Sequence, residues 1–202
     1  PAGVALRALI EERVGKVEAL RAEAERSDVV LSVNHNQLFH PCVRRLEGDL
    51  ARGRLGRLEQ VHVVHSVPLR QLQSGDVSHF MFQSEANILL EQAVHPLSVV
   101  QRLLGRCLDL TATVEAPLRL PTGAPFRDTW TLSMRCRRGS AVVFLAFGRP
   151  LHETTLTAVG TDGSARIDLQ RSTYALTCKT RWLEFWDTAA NSMVNGLRLI
   201  GQ

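Results

Sequence analysis

The chain has 202 residues, of which 45% are hydrophobic and 22% charged, with a formal net charge of +4. This is ordinary globular composition, which excludes a disordered chain and leaves room for one large domain or two small ones. The arginines are interleaved with acidic residues, as in "RRLEGDLARGRLGRLE", so a solvated, ion-paired surface is expected and a nucleic-acid partner is not.

From Val4 to Arg26 the apolar residues recur at helical spacing, which predicts one long amphipathic helix with Gly15 as its weak point. "DVVLSVN" (residues 28–34) is a short β-branched run and predicts a strand buried on both faces, as in a parallel sheet. A helix follows from about Pro41, where proline suits the first turn. It stops near Gly53 to Gly56, where glycine can take a left-handed cap. "LEQVHVVHSVPL" reads as a strand. "RQLQSGDVSHFMFQSEAN" has no period and is long for a connection, which favours a functional loop. Ile88 to Gly105 is a predominantly apolar helix interrupted by Pro96, so a kink or restart beside His95 is expected.

After Gly105 come six strand-like runs separated by turn signals such as "RRGS" and "GTDGS". Thr129, Thr131 and Ser133 alternate with Trp130, Leu132 and Met134. Successive hairpins of this kind predict an antiparallel sheet, and "RWLEFWDTAANSMVNGLRLI" closes the chain as a helix. The fold class is therefore α+β, a mostly antiparallel open-faced sheet with helices on one side.

The four cysteines are far apart and form no C-x-x-C pair, so they are expected to be reduced, with no structural zinc. No apolar run reaches the roughly 18 residues of a membrane span. The N-terminus carries no secretion-signal pattern, so a soluble, cytoplasmic protein without a membrane partner is expected.

Glu91 and His95 stand four residues apart in the apolar helix, where they share a face and can converge on one ligand. A carboxylate and an imidazole are expensive to bury, so both need partners or an opening to a cleft. Spacing alone equally allows a surface pair or a satisfied core histidine. A second candidate is "VNHNQLFHP", with Asn34, His35 and Asn36 just past the predicted strand, where open α/β sheets bind ligands. The loop residues Arg70, Gln71, Gln73, Asp76 and His79 are a third, offering hydrogen bonds to a polar substrate. His62 and His65 lie on opposite faces of one strand, no HExxH is present, and a metal site is not expected. The chain contains neither a G-x-G-x-x-G nor a P-loop.

In this order the segments resemble the C-terminal domain of the Gfo/Idh/MocA family of NAD(P)-dependent sugar oxidoreductases. "VVLSVNHNQLFHP" resembles the family's interdomain strand and loop, and "LEGDLARGRLGRLEQVHV" its helix, Gly-x-x-Gly turn and first sheet strand. "EANILLEQAVHPLSVVQRLLG" is similar to the helix written G-G-x-L-x-D-x-G-x-H-x-x-D, and "AVGTDGSARID" to a late hairpin. The resemblance implies that His95 acts as acid/base on a sugar or nucleotide-sugar hydroxyl, with Glu91 assisting. It places Asn34, His35, Asn36, Arg70, His79 and Gln92 around the substrate. NAD or NADP would be bound mainly by an N-terminal domain, of which residues 1–34 would be a helix-and-strand remnant, and residues 35–202 would form the substrate and oligomerisation domain. Pro1 would end that domain's Glu-Lys-Pro motif. The sequence departs from the pattern at Glu91 (family Asp), at Ala86, Asn87 and Ala93 (family Gly) and at Ser98 (family Asp). Family members pair through the open sheet face, so a homo-oligomer is implied. The rival reading is a non-catalytic, sheet-mediated interaction module in which Trp130, Leu132, Val142 and Phe144 matter more than His95.

Overall fold

The structure is a computed structural model that describes residues 2–179 and 184–200. Pro1 and the beginning of the closing helical run lie outside the described residues. The chain divides into two compact units, Pro1–Asn34 and His35–Gln202.

The first unit is the long helix α1 (Ala2–Arg26), which runs through Gly15 without a break. The expected strand after it does not form: residues 29–35 have no regular secondary structure, and Val30 is 94% exposed. A β-branched run becomes a strand only when a neighbour satisfies its backbone groups, and no described strand pairs with this one.

The second unit opens with a 3-10 turn (Asn36–Phe39) and α2 (Pro41–Ala51). Gly53 and Gly56 follow with φ of 70° and 67°, the left-handed conformations that the Gly-x-x-Gly spacing predicted. Then come β1 (Leu58–Val67), the short α3 (Arg70–Ser74) and a 3-10 turn (Phe80–Phe82). A π-helical turn (Leu89–Ala93) leads directly into α4 (Val94–Leu104). In a regular α-helix the Pro96 ring would press on the Gln92 carbonyl four residues back, and the wider π turn relieves that crowding.

The strands are β2 (Cys107–Val114), the small pair β3 (Leu118–Arg119) and β4 (Pro125–Phe126), β5 (Thr129–Cys136), β6 (Gly139–Phe147), β7 (Glu153–Gly160), β8 (Gly163–Asp168) and β9 (Thr173–Cys178). Helix α5 (Glu184–Ile200) ends the described chain. Seven strands make one sheet in the order β2-β5-β6-β1-β7-β8-β9. The sheet is not a simple run of hairpins. β1 is inserted between β6 and β7, parallel to the first and antiparallel to the second.

Register assigns the two faces. Val61, Val63 and His65 of β1 are level with Ala141, Val143 and Leu145 of β6, and with Ala158, Leu156 and Thr154 of β7. All nine are buried. This face is covered by α4, packed on β1 and β6, and by α2, packed on β8. Val43 and Leu46 of α2 and Val99, Val100 and Leu104 of α4 repeat at helical spacing and are almost wholly buried. Each such side chain contributes roughly 1.5–3 kcal/mol by leaving water.

The opposite face carries Val64, Thr131, Val142, Phe144, Thr155 and Thr157, all at least partly exposed. Trp130 and Leu132 pair with Leu145 and Val143 and belong to the covered face. The four residues grouped as an interaction surface therefore divide between two faces, and only Val142 and Phe144 lie on the open one.

Candidate functional site

β1 and β8 run toward one end of the sheet, and β7 leaves from it. At this end the covered face meets the 3-10 turn of Asn36–Phe39 and the π turn before α4, and together they enclose a cleft of about 430 Å³. Asn36, Gln37, Phe39 and His40 line one wall, Gln92 and His95 a second, and His65 and Val67 the floor. His152, Leu169 and Gln170, from the connections flanking β7 and β8, close the far side.

Three of the lining residues each carry a buried polar atom without a partner among the described residues: Oε1 of Gln37, Nε2 of His65 and Nδ1 of His95. Buried polar groups are normally satisfied, so three unsatisfied ones on the lining residues of a single cleft make it the candidate site. His65 is 3% exposed, and its Nδ1 is 2.9 Å from the Thr154 hydroxyl. Burial holds its pKa down at about 4, helped by the neighbouring imidazoles of His152 and His95 and opposed by the Gln92 amide. It is therefore neutral at physiological pH and keeps one nitrogen toward the cleft.

The other imidazoles are fixed locally. His40 caps α2, its Nδ1 accepting from the Cys42 N–H at 3.2 Å. The Gln170 amide and His152 Nε2 lie 3.2 Å apart. Ser98 donates to the His95 carbonyl at 2.7 Å and so braces the turn that presents His95.

Of the candidate residues, the structure brings Asn36, Gln92 and His95 into the cleft. Glu91 does not line it and makes no hydrogen bond to His95; it is half-buried on the π turn, and Gln92 occupies the neighbouring place. Asn34 belongs to the first unit. His35, Arg70 and His79 do not line the cleft. His79 instead caps its own 3-10 turn, accepting from the Met81 N–H, and Asp76 closes a turn with Ser78. Ser74, Asp76, Ser78 and His79 of this loop thus bond within it. Asn87, in a family glycine position, donates from its side chain to the Phe80 carbonyl at 2.8 Å and ties that loop to the π turn.

Gln37, Phe39 and His40 stood within the quoted "VNHNQLFHP" beside Asn36. His65 had a legible signal, because it continues the buried alternation of Val61 and Val63 and is the polar member of that series. His152 and Gln170 had none. Among the described residues no three His, Cys, Asp or Glu side chains are grouped to hold a metal ion, and no helix is long and apolar enough to cross a membrane.

No curated protein matches the sequence. Solved structures do match the fold. An NAD-binding oxidoreductase from Klebsiella pneumoniae aligns with TM-score 0.66 at 17% identity, covering 80% of this chain and 46% of that one. An inositol dehydrogenase homolog from Azotobacter vinelandii, complexed with NAD+, gives 0.67 at 16%, covering 82% and 45%. The WlbA dehydrogenase from Bordetella pertussis, in complex with NADH and UDP-GlcNAcA, gives 0.62 at 17%, covering 75% and 47%. The chain thus spans somewhat under half the length of these structures. Residues 43–166, from α2 to β8, match the GFO/IDH/MocA C-terminal domain. With the seven-stranded open sheet, that match settles its affiliation: the chain belongs to the GFO/IDH/MocA C-terminal domain family.

Proposed function

We propose that this chain is the substrate-side domain of an NAD(P)-dependent oxidoreductase that interconverts a hydroxyl and a carbonyl on a sugar or nucleotide sugar. The observation that carries the reading is the convergence of the unpartnered His95, His65 and Gln37 atoms on one cleft. The relatives bound to NAD+ and to NADH with UDP-GlcNAcA point the same way.

The described residues contain no strand, glycine-rich turn and helix to cradle a pyrophosphate. The chain's own contribution is therefore confined to the substrate, and the dinucleotide that exchanges the hydride would be held by another domain. Within the cleft, His95 Nδ1 is the proton acceptor for the reacting hydroxyl. Gln92, one turn away, and neutral His65 fix the hydroxyl's direction. Asn36, Gln37, His40 and the His152–Gln170 pair supply amide and imidazole donors and acceptors, which suit further hydroxyls. Phe39 and Leu169 offer apolar surface to a ring face.

In the complete enzyme, His95→Ala is expected to lower kcat with a sugar or nucleotide sugar by about 10²-fold or more. Retained turnover on the same substrate panel would remove His95 from the chemistry. The open sheet face, with Phe144, Val142 and Val64 among threonines, is the surface through which copies associate. Phe144→Arg should shift sedimentation toward the monomer, and unchanged sedimentation would exclude that face.

A further inference from the structure

Cys107 and Cys136 are far apart in sequence, yet β2 and β5 bring them directly opposite one another. The Arg137 N–H donates to the Arg106 carbonyl at 3.0 Å, joining the residue after one cysteine to the residue before the other. That bond has the pattern of a non-hydrogen-bonded pair, the closer type, whose Cα atoms are typically about 4.5 Å apart, and the register shifts by one residue between Cys107 and Asp109. The spacing falls within the roughly 4.4–6.8 Å that a disulfide spans. Cys136 is buried, 5% exposed, whereas Cys107 is half-buried on the edge strand. Burial, then the neighbouring Cys107 thiol, pushes the Cys136 thiol up, while the Cys107 thiol donates to the Asp109 carbonyl at 3.2 Å.

We propose that Cys107 and Cys136 are a redox-responsive pair that closes to an intramolecular disulfide when the folded protein meets hydrogen peroxide. The accessible Cys107 sulfur attacks the peroxide, breaking the O–O bond and forming Cys107 sulfenic acid with release of water. The Cys136 sulfur then displaces the sulfenic hydroxyl, which leaves with a proton as a second water. Each sulfur is oxidised by one electron and the peroxide is reduced by two. The link joins edge strand β2 to β5 immediately beyond Gly105, the C-cap of α4, whose first turn carries His95.

The test is peptide mapping by mass spectrometry of the native chain after treatment with hydrogen peroxide and alkylation. The expected result is a Cys107–Cys136 linked peptide, two thiols lost of the four present, and a thermal midpoint that rises and returns on reduction. In Cys136→Ser, Cys107 should stop at a sulfenic acid that a 1,3-diketone probe traps. The proposal is overturned if both thiols remain alkylatable in excess peroxide, if the link joins two chains, or if it forms only in urea.

Discussion

At the scale of single residues, two buried groups determine how the domain responds to its conditions. Folded His65 holds its pKa at about 4 against 6.5 in a free chain, chiefly through burial. Between those values the unfolded chain binds a proton that the folded one refuses, so stability present above pH 6.5 is lost as pH falls toward 4. The shift corresponds to about 3 kcal/mol. Urea unfolding of His65→Gln should show a flatter decline across that window, and a slope equal to the parent's would exclude His65 as its source. Tyr174, 1% exposed on β9, donates to Asp49 of α2 at 2.7 Å, and the Arg45 guanidinium lies 4.6 Å over its ring. Burial would push Asp49 up, but bonds from Arg52, Tyr174 and Arg54 more than offset it and hold the carboxylate ionised. Tyr174→Phe removes one of those bonds and should cost about 2 kcal/mol in equilibrium unfolding.

At the scale of elements, the π turn and α5 show how local sequence meets tertiary demand. Pro96 made a break beside His95 predictable, because its ring and missing N–H disturb any regular helix there. What form the break takes depends on packing: the wide turn at Leu89–Ala93 puts Gln92 with His95 in the cleft and leaves Glu91 out of it. Helix α5 covers the free edge of β9 in an unusual way. The Leu176 and Cys178 N–H groups donate to the side-chain oxygens of Asn195 and Asn191, both at 3.1 Å. The same two amides donate back to the Leu176 and Cys178 carbonyls. Each asparagine thus stands in for a strand residue and blunts an edge that would otherwise pair with another chain. In the double variant Asn191→Ala, Asn195→Ala, hydrogen exchange at the Leu176 and Cys178 amides should quicken by about tenfold or more, since each bond lost is worth on the order of 1 kcal/mol. Unchanged exchange would mean that other groups protect this edge.

At the scale of the whole domain, topology gathers residues that the chain keeps apart. Inserting β1 between β6 and β7 places His65 beside Thr154 and within one cleft of His95, His152 and Gln170. The same insertion gives the sheet its parallel pair and sends Trp130 and Leu132 inward while Val142 and Phe144 face out. The proposed activity and the proposed association therefore have separable tests: His95→Ala should lower kcat by about 10²-fold or more without changing sedimentation, and Phe144→Arg should change sedimentation first.

The amino-acid sequence by itself determined the longer helices, the strand runs after Gly56, the glycine caps at Gly53 and Gly56 and the break beside His95. Each is a local consequence of side-chain period or backbone stereochemistry. It also displayed the ordered segments by which the family resemblance was read. Strand order, face and cleft membership were decided only by the tertiary structure, because they depend on pairings between distant residues that no local pattern encodes. For that reason the β-branched run at residues 29–34 found no partner and made no strand. His79 bonded to the backbone of its own loop, and His152 and Gln170, silent in the sequence, joined His95 in lining the cleft. Cys107 and Cys136 came together for the same reason, through the register of two antiparallel strands.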